Sequence, residues 1–315
     1  MSEDRQSRWQ RLLLGLFILV PSLALAAAVP VAWGWGLGWR DVVIAVVLYV
    51  ITGLGITVGY HRHFTHGSFK AARPLRIALA IAGSMAIEGP PVRWVADHRK
   101  HHRFSDREGD PHSPWKYGDS GLALAKGFWH AHVGWMFDVN QTPLPQYAPD
   151  LLADRDVARI SRWFPLWVAV SLLAAPVIGG AATWSWQGAL TAFLWGSLVR
   201  VALLHHVTWS VNSICHLFGK RQFASRDRST NVWWLSLPSF GESWHNLHHA
   251  EPTSARHGVL RGQADPSAWI IRILERLGWA ADVRWPDPTR IAARRIPTMR
   301  GRDDNSAISS RERPS

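Results

Sequence analysis

The sequence predicts an all-α integral membrane protein: four transmembrane helices in two hairpins, with a cytosolic helical cap holding a site for two metal ions. Three observations predict it. Long apolar blocks alternate with stretches rich in Arg, His and Asp along the 315 residues, so the mean hydropathy of −0.06 averages two unlike kinds of chain. The two short connections between paired apolar blocks contain a single basic residue, Arg40. All 16 histidines fall between His61 and His257, in clusters of repeated spacing.

Residues 1–11 are polar and carry Arg5, Arg8 and Arg11. The apolar run from Leu12 to about Val31 suits one crossing of a hydrocarbon core ~30 Å thick. A charged start before an apolar core also fits a cleaved signal peptide. The run has full spanning length and no polar region after it, which favours a retained span. Trp33, Trp35 and Trp39 mark an interface before the second span, Val42 to about Gly59. The middle region, Tyr60 to about Arg162, is polar. Within it Ile77–Ile87 is too short to span and predicts a helix at the membrane surface or buried in the protein. Phe164–Ala182 and Ala189–Leu204 form the second pair around the turn Thr183–Gln187, with Trp184 and Trp186 at the interface. Arg200 makes the fourth span marginal, and its helix is expected to run on toward Trp209 and Asn212.

The spans are therefore placed at about 12–31, 42–59, 164–182 and 189–204, with the cap at 60–162 and 205–297. Residues 1–297 read as one domain, and 298–315 as a disordered tail. The positive-inside rule puts both termini and the middle region in the cytoplasm.

The formal net charge is +12. Basic chains often bind nucleic acid, but the apolar blocks favour a basic membrane-proximal face instead, and no nucleic-acid partner is expected. Cys215 is the only cysteine, which excludes an internal disulfide and a Cys-rich zinc or iron–sulfur site. Any metal must be held by nitrogen and oxygen.

The histidines form three clusters and one isolated member: His61, His63 and His66; His98, His101 and His102; His245, His248 and His249; and His216. Positions i, i+3 and i+4 of a helix share a face, so each H-x-x-H-H is expected to aim three imidazoles at one point. A lone histidine is more often a satisfied polar residue than a ligand; a repeated spacing on one predicted side of the membrane reverses that. Neutral imidazole suits iron, zinc, copper and nickel. The clusters exceed the needs of one zinc ion and fit two metals, each with an open position. A redox metal pair facing a bilayer suggests oxygen chemistry on an unreactive hydrocarbon.

Four stretches resemble the membrane fatty acyl desaturases of the stearoyl-CoA type. They are Gly59–His66, Asp97–His102 continuing to Asp110-Pro111-His112, Asn212-Ser213 to His216, and Gly241–His249. His132-Val133-Gly134-Trp135 adds to the likeness, which runs from about Leu12 to Gly258. The resemblance implies a mushroom-shaped fold and two irons on nine histidines: His61, His66, His98, His101, His102, His216, His245, His248 and His249. It also implies that Asn212 reaches one iron through water, and that Thr208 and Trp209 shape a bent acyl tunnel. Asp106, Asp110 and His112 are expected to support the ligands, the aspartates by accepting the second ring N–H or else as loop caps. His63 and Glu242 could play similar supporting parts, while His130, His205 and His206 read as polar residues near the membrane boundary.

The implied reaction inserts a cis double bond into a long acyl chain, delta-9-like, using dioxygen and two electrons. The chain resembles the bacterial type without a fused cytochrome b5, so a plasma-membrane location and an external ferredoxin, rubredoxin or cytochrome b5 are expected. Where animal enzymes have an arginine before the Asp-His of the second box, this chain has Ala96. Acyl-CoA remains the favoured substrate and an acyl lipid the alternative, with Arg93, Arg99, Lys100 and Arg103 available for phosphate. Two rival readings are a di-iron hydroxylase or ketolase and a zinc-binding membrane transporter. The Asn212 and Glu242 boxes oppose the first; the second predicts ionisable residues inside the spans, whose middles lack them.

Overall fold

The computed structural model describes residues 5–34 and 36–297, the side chains of 29 and 32–34 excepted. The tail at 298–315 and the interfacial parts of Trp33 and Trp35 lie outside the described residues.

Among the described residues, four helical runs are long and apolar enough to cross a membrane: Arg8–Ala28, Trp39–Thr65, Phe164–Thr183 and Trp186–His216. The first belongs to α1 (Arg8–Gly34), which carries Pro21 and Pro30 in its interior. The second is α2 (Trp39–Leu54), continuing without a break as a π-helix over Gly55–Thr65. The middle region holds α3 (Arg73–Ser84), α4 (Pro91–Phe104), α5 (Gly121–His132) and the short α6 (Leu144–Tyr147), α7 (Pro149–Ala153) and α8 (Arg155–Arg162). The third run is α9 (Phe164–Thr183), ended by Trp184 in a left-handed conformation. The fourth passes from α10 (Trp186–Ala192) through a π-helix at Phe193–Val199 into α11 (Arg200–Ser213). After it come α12 (His245–Ala250), α13 (Pro266–Arg276) and α14 (Pro288–Arg294). A two-residue ladder pairs β1 (Lys70–Ala71) with β2 (Ala280–Ala281), antiparallel.

Each expected span lies inside one of these helices, and the helices run further. Leaving the apolar zone ends a favourable side-chain environment, but the backbone ladder persists wherever packing supports it. On α2, Ile44, Leu48 and Thr52 point inward at helical spacing, while Val46, Val47 and Val50 are exposed. Such an outward apolar face is unfavourable in water and at home in lipid. Ile44 and Leu48 pack on Ala175 of α9 and Ala192 of α10. Close approach depends on small residues, as in membrane bundles generally: a Cβ on Gly179 would sit 2.3 Å from the Ala192 Cβ. Gly55 meets α3 more tightly still, a Cβ there lying 2.2 Å from the backbone nitrogen of Gly83.

The apolar segment expected at Ile77–Ile87 is buried in the protein: α3 turns Leu75, Leu79, Ala80 and Gly83 inward. Arg200 is only 1 % exposed. Its guanidinium donates to the Ser171 hydroxyl (2.8 Å), the Ser171 carbonyl (3.3 Å) and the Met85 carbonyl (3.4 Å). The residue that made the fourth span look marginal thus ties that helix to α9 and to the turn after α3.

Candidate metal centre

Helix geometry delivers the histidines. His61 and His66 are five residues apart, which on an α-helix of 3.6 residues per turn leaves them roughly 140° apart. The π-helix closes its ladder on i+5: the His66 N–H donates to the His61 carbonyl (3.2 Å), and the Thr65 hydroxyl to the Tyr60 carbonyl (2.8 Å). The wider turn brings the two imidazoles edge to face, ring centroids 4.8 Å apart. The other two clusters lie on α4 and α12.

The expectation that each H-x-x-H-H aims at one point is wrong. The histidines converge as two groups, His61, His66, His98, His102 and His248, and His101, His216, His245 and His249. Within each motif the i and i+4 members go to one group and the i+3 member to the other. Successive residues on an α-helix are about 100° apart. The i+3 and i+4 positions therefore flank the helix meridian and reach to opposite sides. The four stretches nevertheless meet in one place: the nine named histidines make up these two groups, and His257 and His112 fall in smaller ones, with His61 and Glu242 and with His101 and Asp110.

In the five-membered group Nε2 of His61 lies 3.0 Å from Nε2 of His248, which lies 2.9 Å from Nε2 of His102, itself 3.1 Å from Nε2 of His98. In the other, Nε2 of His245 is 3.0 Å from Nε2 of both His216 and His249. Burial, reinforced by neighbouring imidazoles, holds His66, His98, His101, His102, His245 and His248 well below the usual histidine range. They are neutral near pH 7, the form that binds metal.

The second ring nitrogens decide what these contacts are. His216 Nδ1 donates to Asp106 (2.9 Å), His249 Nδ1 to Asp227 (2.6 Å) and His101 Nδ1 to Asp110 (3.0 Å), while His61 Nδ1 lies 2.6 Å from Glu242. With Nδ1 donating, each Nε2 presents a bare lone pair. His245 has one proton to offer and faces two such lone pairs, and Nε2 of His101 and of His66 are buried without a partner. Repulsion on this scale is relieved by a cation: two nitrogens bound at right angles about 2.1 Å from one metal lie about 3 Å apart. The donor set fits two metal ions, and the carboxylates are the hydrogen-bonded support metal-binding imidazoles need.

Asp106 and Asp110 thus touch histidines, as expected. His112 stacks on His101 (centroids 4.2 Å, 28°) and donates its backbone N–H to Asp110 (3.1 Å). Asp227 and His257 were not singled out in the sequence. Asp227 lies among Ser and Arg in a segment that resembles any polar loop, and His257 stands outside every spaced cluster. Burial opposes ionisation of Asp227, but His249 and Ser229 hold it well below the usual carboxylate range. His257 and the buried Arg62 close a network in which the guanidinium meets Glu242 (3.0 Å) and Asp265 (2.9 Å) and His257 Nδ1 lies 3.4 Å from Glu242. His63 stands apart, its ring bonded to the Phe69 carbonyl (3.0 Å). His205 bonds the Ala86 carbonyl (2.9 Å), His130 the Pro111 carbonyl (3.1 Å), and His206 the His132 ring (3.0 Å).

A cavity of about 690 Å³ reaches both groups, with His61, His98 and His245 in its wall. Asn212, Thr208, Trp209, Lys100 and Lys116 also line it. Ile87 adopts φ 64°, a conformation that strains a β-branched residue, and the turn it makes places Glu88 in the wall. Glu88 accepts from the Trp94 indole N–H (3.3 Å), with the Thr208 hydroxyl beside it, and burial pushes its carboxyl up to about 8. No spacing rule pointed to Glu88.

Comparison with known proteins accords with this geometry. The fatty acid desaturase family model matches residues 37–261. A hex-5-enoyl-[acyl-carrier protein] acetylenase of Moorena producens (strain JHB) is 37 % identical over 284 residues, 89 % of this chain and 88 % of its own. A delta-9 acyl-lipid desaturase of Arabidopsis thaliana is 40 % identical over 252 residues, covering 80 % and 78 %. An acyl-CoA 5-desaturase of Anemone leveillei is 36 % identical over 275 residues, covering 85 % and 78 %. With a model match over most of its length and relatives of this identity and coverage, the chain belongs to the fatty acid desaturase family.

Proposed function

We propose that this oxidoreductase acting on fatty acyl chains inserts a cis double bond, delta-9-like, into a long-chain acyl-CoA. One observation carries the reading: a largely apolar cavity of about 690 Å³ has histidines of both groups in its wall. The balance is R–CH2–CH2–R′ + O2 + 2 e⁻ + 2 H⁺ → R–CH=CH–R′ + 2 H2O. Two irons, held by His61, His66, His98, His102 and His248 and by His101, His216, His245 and His249, with Asn212 reaching one through water, would supply the oxidant that takes hydrogen from unactivated methylenes.

The chain's own residues do the rest. Asp106, Asp110 and Asp227 fix the tautomers of His216, His101 and His249 and aim their Nε2 lone pairs, and the Glu242 carboxylate stands 2.6 Å from His61 Nδ1. Trp94, stacked on His98 at 5.0 Å, and Trp209 form the wall that excludes water and holds one pair of carbons beside the histidines, where positioning governs rate. Lys100 in the cavity wall suits a phosphate of a CoA group, and Lys116 beside it is paired with Asp138 (3.2 Å). The distribution of Arg and Lys supports a cytoplasmic side for both termini and the histidine-bearing regions.

The test is expression in a host unable to make unsaturated fatty acids, with lipid mass spectrometry that locates double bonds. New cis-monoenes that carry no oxygen from 18O2 support the reading; unchanged lipids with iron, reductant and oxygen supplied refute it. Purified enzyme offered the same chain on CoA, on acyl carrier protein and in a glycerolipid then decides the carrier, with CoA expected.

A further inference from the structure

His132, from the His132-Val133-Gly134-Trp135 stretch, belongs to neither of the two converging histidine groups. It ends α5, which packs against α11. Both of its ring nitrogens are bonded to that helix: Nδ1 lies 3.0 Å from the Ser213 hydroxyl oxygen, and Nε2 lies 3.0 Å from His206 Nδ1. A hydroxyl carries one proton, and Ser213 donates its own to the Trp209 carbonyl (2.9 Å). His132 Nδ1 is therefore the donor to Ser213, its Nε2 is bare, and His206 Nδ1 donates to that Nε2. The bonds run in one direction, from His206 through His132 and Ser213 to the Trp209 carbonyl. Positions 206 and 213 lie about two turns apart on one helix face, so a single imidazole clamps the end of α11.

Between those two contacts lie Val207, Thr208, Trp209, Val211 and Asn212, all in the wall of the apolar cavity. The Trp209 indole meets the His132 ring edge to face (centroids 5.7 Å, 83°) and the His206 ring likewise (5.3 Å, 74°). Phe128, one turn earlier on α5, stacks on His132 (5.7 Å, 10°). Ser213 is also the junction at which α11 gives way to a 3-10 turn, Ile214–His216. His216 has anchors of its own: Asp106 on Nδ1 (2.9 Å) and the Trp115 indole N–H on its carbonyl (2.9 Å). Loss of the His132 clamp therefore frees the wall and leaves His216 in place.

We propose that His132 is a positioning residue that sets where along the acyl chain the double bond is placed. His206 holds the ring, the ring holds the last turn of α11, and that turn fixes Trp209 against the chain. A wall that slides or rotates presents a different pair of carbons to the histidines, and reaction depends steeply on such placement. The inference rests on the desaturase reading for its product assay but not for its probe assay.

The test uses the full-length protein in lipid nanodiscs, with stearoyl-CoA as substrate and mass spectrometry that locates double bonds. His132→Gln keeps an amide near Nε2 but loses the donor to Ser213. It should raise the share of products with a displaced double bond about tenfold, while its metal content matches the parent. His132→Asn places an amide N–H where Nδ1–H stands and should bring that share back close to the parent's. Adding Ser213→Ala to His132→Gln should change it no further, because both act through one bond. The probe assay needs no turnover: 19F NMR of stearoyl-CoA fluorinated at mid-chain, bound to metal-free protein. Its resonance should be narrow in the parent and in His132→Asn and broadened in His132→Gln. Should His132→Gln fail to fold, Ser213→Ala alone carries both assays and should show the same displacement and broadening. Three outcomes overturn the proposal: parent-like products from folded His132→Gln, equal displacement in His132→Gln and His132→Asn, or displacement only in step with loss of metal. Absence of olefin from the parent instead sinks the desaturase reading, and a probe signal broadened in His132→Gln alone still stands for the positioning.

Discussion

Replacing Asp227 by asparagine keeps the shape of the residue and reverses one of its hydrogen bonds. Asp227 Oδ2 accepts from His249 Nδ1 at 2.6 Å, while Oδ1 accepts from the Ser229 backbone N–H at 3.0 Å and from the Ser225 hydroxyl at 3.0 Å. An asparagine that keeps its oxygen on His249 turns its NH2 against the Ser229 N–H. One that keeps its oxygen on Ser229 turns the NH2 against His249 Nδ1–H. The histidine can escape only by moving its proton to Nε2, which removes the lone pair that faces His245. A hydrogen bond to a charged group contributes about 1.5–3 kcal/mol, and about 1.4 kcal/mol is tenfold in affinity. One metal should therefore bind about 10- to 100-fold more weakly, the usual range for losing such a support. Chelator titration with elemental analysis reads this directly: half the metal should leave at the lower chelator concentration, while the melting temperature of the metal-free protein barely changes. Uniform, parent-like retention of both metals would refute the assignment of His249 and its carboxylate.

Four further predictions concern the cavity and the bundle. Glu88, pushed from 4.5 up to about 8 by burial, binds a proton more tightly folded than unfolded, so its contribution is complete below pH 4.5 and is lost as pH rises through 8. At 1.36 kcal/mol per unit the interval is worth about 5 kcal/mol; Glu88→Gln should flatten the fall in melting temperature over that window, and a parent-like slope would count against it. Gly55→Ala forces backbone apart where a Cβ would lie 2.2 Å from Gly83 N and should destabilise by about 1–3 kcal/mol in detergent melts. Arg200→Met strips donors from the Ser171 and Met85 carbonyls and should cost about 2–3 kcal/mol by the same assay. Trp209→Ala opens the cavity wall, and mass spectrometry should show a wider spread of double-bond positions with total metal unchanged.

What the sequence disclosed follows from the range of the forces involved. Spans announce themselves because lipid demands an apolar side chain at nearly every outward position, and Val46, Val47 and Val50 satisfy that residue by residue. The histidine clusters on α4 and α12 were legible because side chains that reach one region from a helix recur at i, i+3 and i+4, even though that spacing did not show how they divide between the two groups. Less visible was anything set by packing at long separation. The turn that puts Glu88 in the cavity wall depends on Ile87 held at φ 64°. Arg62 ends between Glu242 and Asp265, residues 180 and 203 positions away. Arg200 looked like a defect because its partners are carbonyls, which every residue possesses, and one serine hydroxyl. The π-helix was also hidden, since an α-helical wheel sets His61 and His66 on different faces.

The crossed assignment of the motifs has a mechanical consequence. His101 and His102 are consecutive and serve different groups, as are His248 and His249. Any rotation of α4 or α12 about its axis therefore moves a member of each group at once, in opposite senses relative to the two centres. The two sites cannot be tuned independently by shifting these helices, so each helix must be fixed from outside. On α12 that work falls to Asn246, which lies between His245 and His248 and bonds to a different part of the chain. Its Oδ1 accepts from the Gln222 and Phe223 backbone N–H groups at 2.8 and 2.7 Å, its Nδ2 donates to the Phe223 carbonyl at 3.0 Å, and its own N–H donates to Asn231 Oδ1 at 2.9 Å. A fully buried amide with every contact filled resists rotation in both directions. The residue between the histidines is thus as much a part of the geometry as the histidines are, and it holds both groups through one helix.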